Sequence, residues 1–107
     1  MNQTLVYGTP QRDLAAVQDA VAGVLAMPFA LRDSDYRGGQ YYLGVWPDGD
    51  EIIVQDNFWD PYDREWFEPE NPDMRILVYA SVRGDRGDDV ERRLARVPGL
   101  RKLDTVA

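Results

Sequence analysis

The carboxylates between Asp48 and Asp73 are the residues of this chain whose type and spacing could do chemistry. The stretch reads DGDEIIVQDNFWDPYDREWFEPENPD. Its acids are Asp48, Asp50, Glu51, Asp56, Asp60, Asp63, Glu65, Glu68, Glu70 and Asp73, and its one base is Arg64. Ten acids against one base leave −9, beyond the −7 of the whole chain, so the remaining residues sum to +2. Phe58, Trp59, Tyr62, Trp66 and Phe67 stand among those acids. Three chemistries suit such a mixture: acid–base catalysis by paired carboxylates, cation ligation, and attachment to a basic protein surface.

Two carboxylates can serve as acid and base, or as acid and nucleophile. Any acid-rich loop offers such pairs, and a chain of 107 residues has little room for a deep cleft. The chain has no histidine and no cysteine. It thus lacks the commonest general base near neutral pH, the commonest transition-metal ligand, and any thiolate or disulfide chemistry. Calcium needs six to eight oxygens from a flexible loop. Neither Asp48, Asp50 and Glu51 nor Asp56, Asp60 and Asp63 follow the D-x-[DN]-x-[DN]-G spacing. The sequence therefore predicts no catalytic residue, no metal site and no cofactor.

Attachment to a protein fits better. A patch of one sign can raise association rates by roughly 10–10³. Rings buried at its centre supply the anchors that dominate interface energy, and a partner's Arg or Lys can stack on Trp59 or Trp66. The plainer reading is a solvated loop whose rings tuck into the end of the core. It accounts for some of the rings and less well for the acids. The candidate partner contacts are Asp56, Phe58, Trp59, Asp60, Tyr62, Asp63, Glu65, Trp66, Glu68 and Glu70.

The elements that must position this segment follow from length and pattern. A chain of 107 residues, 44% apolar, is one domain over 1–107 with a real core. The first residues, MNQTLVYG, lack the regions of a signal peptide, and no apolar run reaches the ~18 residues of a membrane span. The expectation is a soluble cytoplasmic protein. Its negative charge opposes nucleic acid or anionic membrane as direct partners.

Residues 3–8 read as a strand. Thr9-Pro10 is the expected opening of a helix whose apolar stripe is Leu14, Val17, Val21, Val24 and Leu25, ended by Pro28. A short extended piece at 29–32 comes next, then the turn DSDYRGG. Strands 40–46 and 51–57 form a hairpin around Pro47-Asp48-Gly49-Asp50. Pro61, Pro69 and Pro72 exclude a long helix or a central strand between them, with one helical turn conceivable at 63–67. RILVYASV, 75–82, reads as a central strand covered on both faces. Gly84–Gly87 read as a turn, and Asp88 or Asp89 as the cap of a helix through Val97. A last strand is expected over 100–106, parallel to 75–82 through a crossover. The predicted fold class is α+β: a two-layer α/β sandwich with a mixed, mainly antiparallel sheet of about five strands and two helices on one face. A ferredoxin-like variant is one version.

Other clusters have plainer explanations. Tyr36 to Tyr42, YRGGQYY, has no nucleotide-loop spacing and reads as an approach to the hairpin. Residues 75–107 hold eight bases and five acids, and Arg92, Arg93 and Arg96 read as the solvated face of the second helix. A rival function is a small-molecule-binding or enzymatic domain with a pocket of Tyr36, Tyr41, Tyr42, Trp46 and Trp59. A further possibility is a homo-oligomer in which the acidic segment packs on a neighbour's basic helix.

The runs YRGGQYYLG (36–44), EIIVQDNF (51–58) and ILVYASV (76–82), with the acidic stretch before the last, resemble small actinobacterial proteins. The layout is similar to that of immunity proteins from bacterial polymorphic and contact-dependent toxin systems. That resemblance implies binding to a cognate toxin, often a basic nuclease, and inhibition by occlusion without a catalytic residue. The expected partner is thus a basic protein, with no direct contact to nucleic acid or membrane. The basic C-terminal helix departs from an evenly acidic inhibitor.

Overall fold

The computed structural model describes residues 2–34, 39–60, 65–68 and 70–103. Its strands are β1 (Asn2–Thr9), β2 (Ala30–Ser34), β3 (Gly39–Val45), β4 (Glu51–Asp56), β5 (Phe58–Asp60), β6 (Glu65–Trp66), β7 (Ile76–Arg83) and β8 (Arg101–Lys102); its helices are α1 (Leu14–Leu25) and α2 (Gly84–Leu94). Six strands make one sheet in the order β2-β3-β4-β7-β1-β8, and β5 and β6 pair separately. The molecule is the expected α+β two-layer sandwich. Every neighbouring pair is antiparallel, however, and the main sheet has six strands rather than about five.

The predicted crossover is split. β7 and β8 both run antiparallel to β1, so they are parallel to each other with β1 between them. β8-β1-β7-β4 with the two helices has the strand order of a ferredoxin-like sheet. β2 and β3 extend it past β4.

Register assigns the faces. Leu5, Tyr7, Ile52, Val54, Ile76, Val78, Ala80 and Val82 share the face under the helices, and they meet Val17, Val21 and Leu25 of α1 and Val90 and Leu94 of α2. The other face carries Val6, Leu77 and Tyr79, covered by Met74, Leu103 and Phe67. β4 and β7 lie at the middle of the sheet, which is why their apolar runs are continuous rather than alternating.

Several boundaries differ from expectation. Asp13, not Thr9, caps α1 by accepting from the Ala16 amide at 3.1 Å. Ala26, in the left-handed region at φ 53°, already ends the helix ahead of Pro28. α2 begins at Gly84, so the expected turn is its first helical turn and Asp88 lies inside it. Gly87 suits this helix because a Cβ there would come within 1.9 Å of Gln3 Nε2. α2 ends at Leu94, so Arg96 lies beyond it; of the strand expected over 100–106, β8 takes Arg101–Lys102, and 104–106 lie outside the described residues.

Candidate functional site

The acidic segment divides into parts with different surroundings. Its first acids sit in the β3–β4 turn, closed by Trp46 N donating to Asp50 O at 2.8 Å and Gly49 N to Trp46 O at 2.9 Å. Gly49 takes φ 98°, which favours glycine there. Asp50 is only 5% exposed, and its Oδ2 accepts from Arg86 Nη1 at 2.6 Å and from the Arg83 amide at 3.1 Å. Arg83 is the residue before α2 and has no side-chain cap of its own. Asp50 thus supplies from the β3–β4 turn the cap that sequence reading sought at Asp88 or Asp89. Arg86 also donates to Asp48 Oδ1 at 2.8 Å and lies 4.9 Å above the Trp46 ring. That bond to Arg86 holds the Asp48 carboxyl below its ordinary range.

The later part is organised by Asn57, which is fully buried. Its Nδ2 donates to Met74 O at 2.8 Å and Asn71 O at 3.1 Å, and its Oδ1 accepts from the Glu68 amide at 2.8 Å. Its backbone donates to Arg75 O at 2.9 Å and accepts from Phe67 N at 3.0 Å. One side chain thereby clips the return of the loop to the end of β4. Phe67 packs with the cluster on the second sheet face, and Met74 is seated over Gly8, where a Cβ would come within 2.8 Å of Met74 Cγ.

The predicted contacts are distributed along this clipped loop. Asp56 ends β4, half-buried, and burial pushes its carboxyl above the ordinary range. Phe58, Trp59 and Asp60 form β5, and Glu65 and Trp66 form β6, where an irregular register pairs Phe58 with Trp66 and Asp60 with Glu65. The helical turn considered for 63–67 is therefore replaced, at 65–66, by strand. Tyr62 and Asp63 lie outside the described residues. Glu68 is half-buried and accepts from Tyr79 Oη at 2.9 Å; Glu70 is exposed. Asp73 reaches Arg101 at 3.4 Å. No described basic side chain forms an ion pair with Asp56, Glu68 or Glu70.

Sequence reading missed the two residues that shape the site. Asp50 looked like one more acid of the patch, and Asn57 like the end of a strand. The signal for Asn57 is its place between an apolar strand and a proline-broken loop, where a buried amide can satisfy turning backbone.

The described residues of the rival pocket are separated. Tyr41 faces Gln55 and Tyr42 faces Val54, so the two rings are on opposite faces of the sheet. Trp46 lies under Arg86. A cavity of about 140 Å³ lies between α1 and the segment after α2, lined by Thr9, Gln11, Ala16, Val17, Ala20, Val97 and Pro98, with no Tyr or Trp. Tyr36 lies outside the described residues. Among the described residues no helix is long and apolar enough to cross a membrane, and no group of acids is arranged to hold a metal ion.

The basic C-terminal third is mostly engaged internally. Arg92 and Arg93 pair with Asp89, the latter at 3.0 Å, and Arg93 Nη1 also donates to Val24 O at 3.2 Å. Lys102 pairs with Glu91. No family model and no curated protein matches this chain.

Proposed function

We propose that this chain is a cytoplasmic binding protein that neutralises a basic protein partner, as an immunity protein occluding a cognate bacterial toxin. One observation carries the reading: Asn57 ties residues 67–75 to the end of β4, and the carboxylates on either side of that tie, Asp56, Glu68 and Glu70, meet no described cation. A segment already tied to the sheet loses little conformational freedom on binding. A carboxylate already part-desolvated, as at Asp56, gains from a partner's guanidinium. Within this reading Asp56, Asp60, Asp63, Glu65, Glu68 and Glu70 steer and pair, and Phe58, Trp59, Tyr62 and Trp66 anchor. The protein acts by covering its partner and performs no catalysis itself.

The test is complex formation with a basic toxin domain, chosen by inspecting the genes next to the one that encodes this chain; no such domain there would count against the reading. Reversing Asp60, Asp63 and Glu65 to Lys slows association and flattens its salt dependence. Trp59→Ala or Trp66→Ala mainly raises the off-rate, with folding checked by circular dichroism. Unchanged on-rates in the reversed variant would remove the electrostatic basis of the proposal.

A further inference from the structure

β2 is the outer strand at the long edge of the sheet, and its first four residues are exposed. No proline interrupts it, and both helices lie over β4, β7 and β1 instead. Leu31 is 53% exposed although it lies on the helix-bearing face, in register with Tyr42 and, through it, Val54. Tyr42 packs against the main core, so Leu31 is the outward continuation of that core past the last strand. An open strand edge with an apolar side chain beside it is a template for another strand.

We infer that the β2 edge pairs with β2 of a second copy of this chain, antiparallel about a two-fold axis at Leu31. The choice of partner and register follows from charge and symmetry. Antiparallel edge pairing about a two-fold axis perpendicular to the sheet keeps each copy's helices on the same side. Residues opposite one another must therefore belong to the same face. An axis at Arg32 sets Arg32 against Arg32, and an axis at Asp33 sets Asp33 against Asp33. Like charges directly opposite are destabilising. The axis at Leu31 sets leucine against leucine, with Tyr42 of each copy behind it, and places Arg32 opposite Ala30. Arg32 and Asp33 thus act as register filters: they disfavour two alignments and leave the third.

A pairing of one short strand buries less than the ~1,200 Å² at the lower end of stable interfaces, so it is weak and concentration-dependent. Each copy carries −7, so screening strengthens it. A head-to-tail contact between acidic loop and basic helix would respond to salt in the opposite direction.

The chain has no cysteine, so single cysteines report cleanly. Residues directly opposite in an antiparallel pair have Cα atoms about 4.5–5.5 Å apart, inside the range a disulfide spans, whereas diagonal neighbours at about 7–8 Å are outside it. Leu31→Cys should cross-link to itself under mild oxidation at least tenfold faster than Arg32→Cys or Val45→Cys, Val45 being the other large exposed apolar side chain, at 54%. A mixture of Ala30→Cys and Arg32→Cys should give the mixed dimer in preference to either self-dimer. Light scattering of the unmodified chain should move from one copy toward two as concentration and salt rise. Leu31→Cys cross-linking no faster than Val45→Cys would overturn the pairing. Fastest self-linking at Arg32→Cys would overturn the register, and dissociation by added salt would overturn the edge in favour of a head-to-tail contact.

Discussion

At one end of the acidic segment Asp48 and Asp50 face Arg83 and Arg86; further along, Asp56, Glu68 and Glu70 face no described cation. The same residue type does two jobs within one run of sequence. Asp50 is buried, accepts an amide at the start of α2 and ties the β3–β4 turn to that helix. The later acids flank the segment that an amide side chain ties to β4, and no described cation neutralises them. Negative charge in a sequence is therefore a poor measure of negative charge available to a partner.

The comparison can be broken at its two anchors. Asn57→Ala should have the largest effect, because it leaves the Glu68 amide and two carbonyls without their partner. A loss of about 3 kcal/mol is expected in urea unfolding, accompanied by faster hydrogen exchange across 65–74. Asp50→Ala should cost about 2 kcal/mol, since it strips the cap from α2 and leaves Arg86 with Asp48 alone. Equal and negligible losses for both variants would mean that neither anchor organises its end.

Smaller effects sharpen the contrast. Asp56→Asn should stabilise the free protein near neutral pH by a few tenths of a kcal/mol to about 1, because burial disfavours its charge. Acid titration separates the groups by sign. Asp48 and Asp89 are held low by Arg86 and Arg93, so their contribution is present above the ordinary carboxylate value of 3.8 and is lost as pH falls through their lowered folded values. Asp56 is raised, so it contributes in the opposite sense and relieves the fold as pH falls toward 3.8. Asp48→Asn should accordingly flatten the acid limb of the stability profile, and Asp56→Asn should steepen it. Glu70→Gln, at an exposed position, should change stability by less than about 0.5 kcal/mol.

The sheet's central strands, the hairpin and the apolar stripe of α1 were legible because each is a local pattern. Ile52–Val54 and Ile76–Val82 are apolar runs, and Val17, Val21 and Leu25 recur at helical spacing. The start of α2 was not legible, because its cap comes from Asp50 in the distant β3–β4 turn rather than from the neighbouring Asp88. The insertion of β1 between β7 and β8 was hidden for a related reason: pairing between the chain's first and last strands leaves no mark in local periodicity. In the candidate site the surplus of acids was visible. Its division was not, since Asp50 and Asp56 differ only in which tertiary neighbours reach them.

The most direct test is the association rate of the combined variant Asp56→Asn, Glu68→Gln, Glu70→Gln with the basic partner domain that the proposal requires, measured across ionic strength. Glu68→Gln keeps the Oε1 acceptor for Tyr79, so folding is preserved. The account predicts unchanged or slightly higher stability, together with association slowed several-fold at low salt and a shallower salt dependence. A variant that loses stability yet associates at the unaltered rate would contradict it.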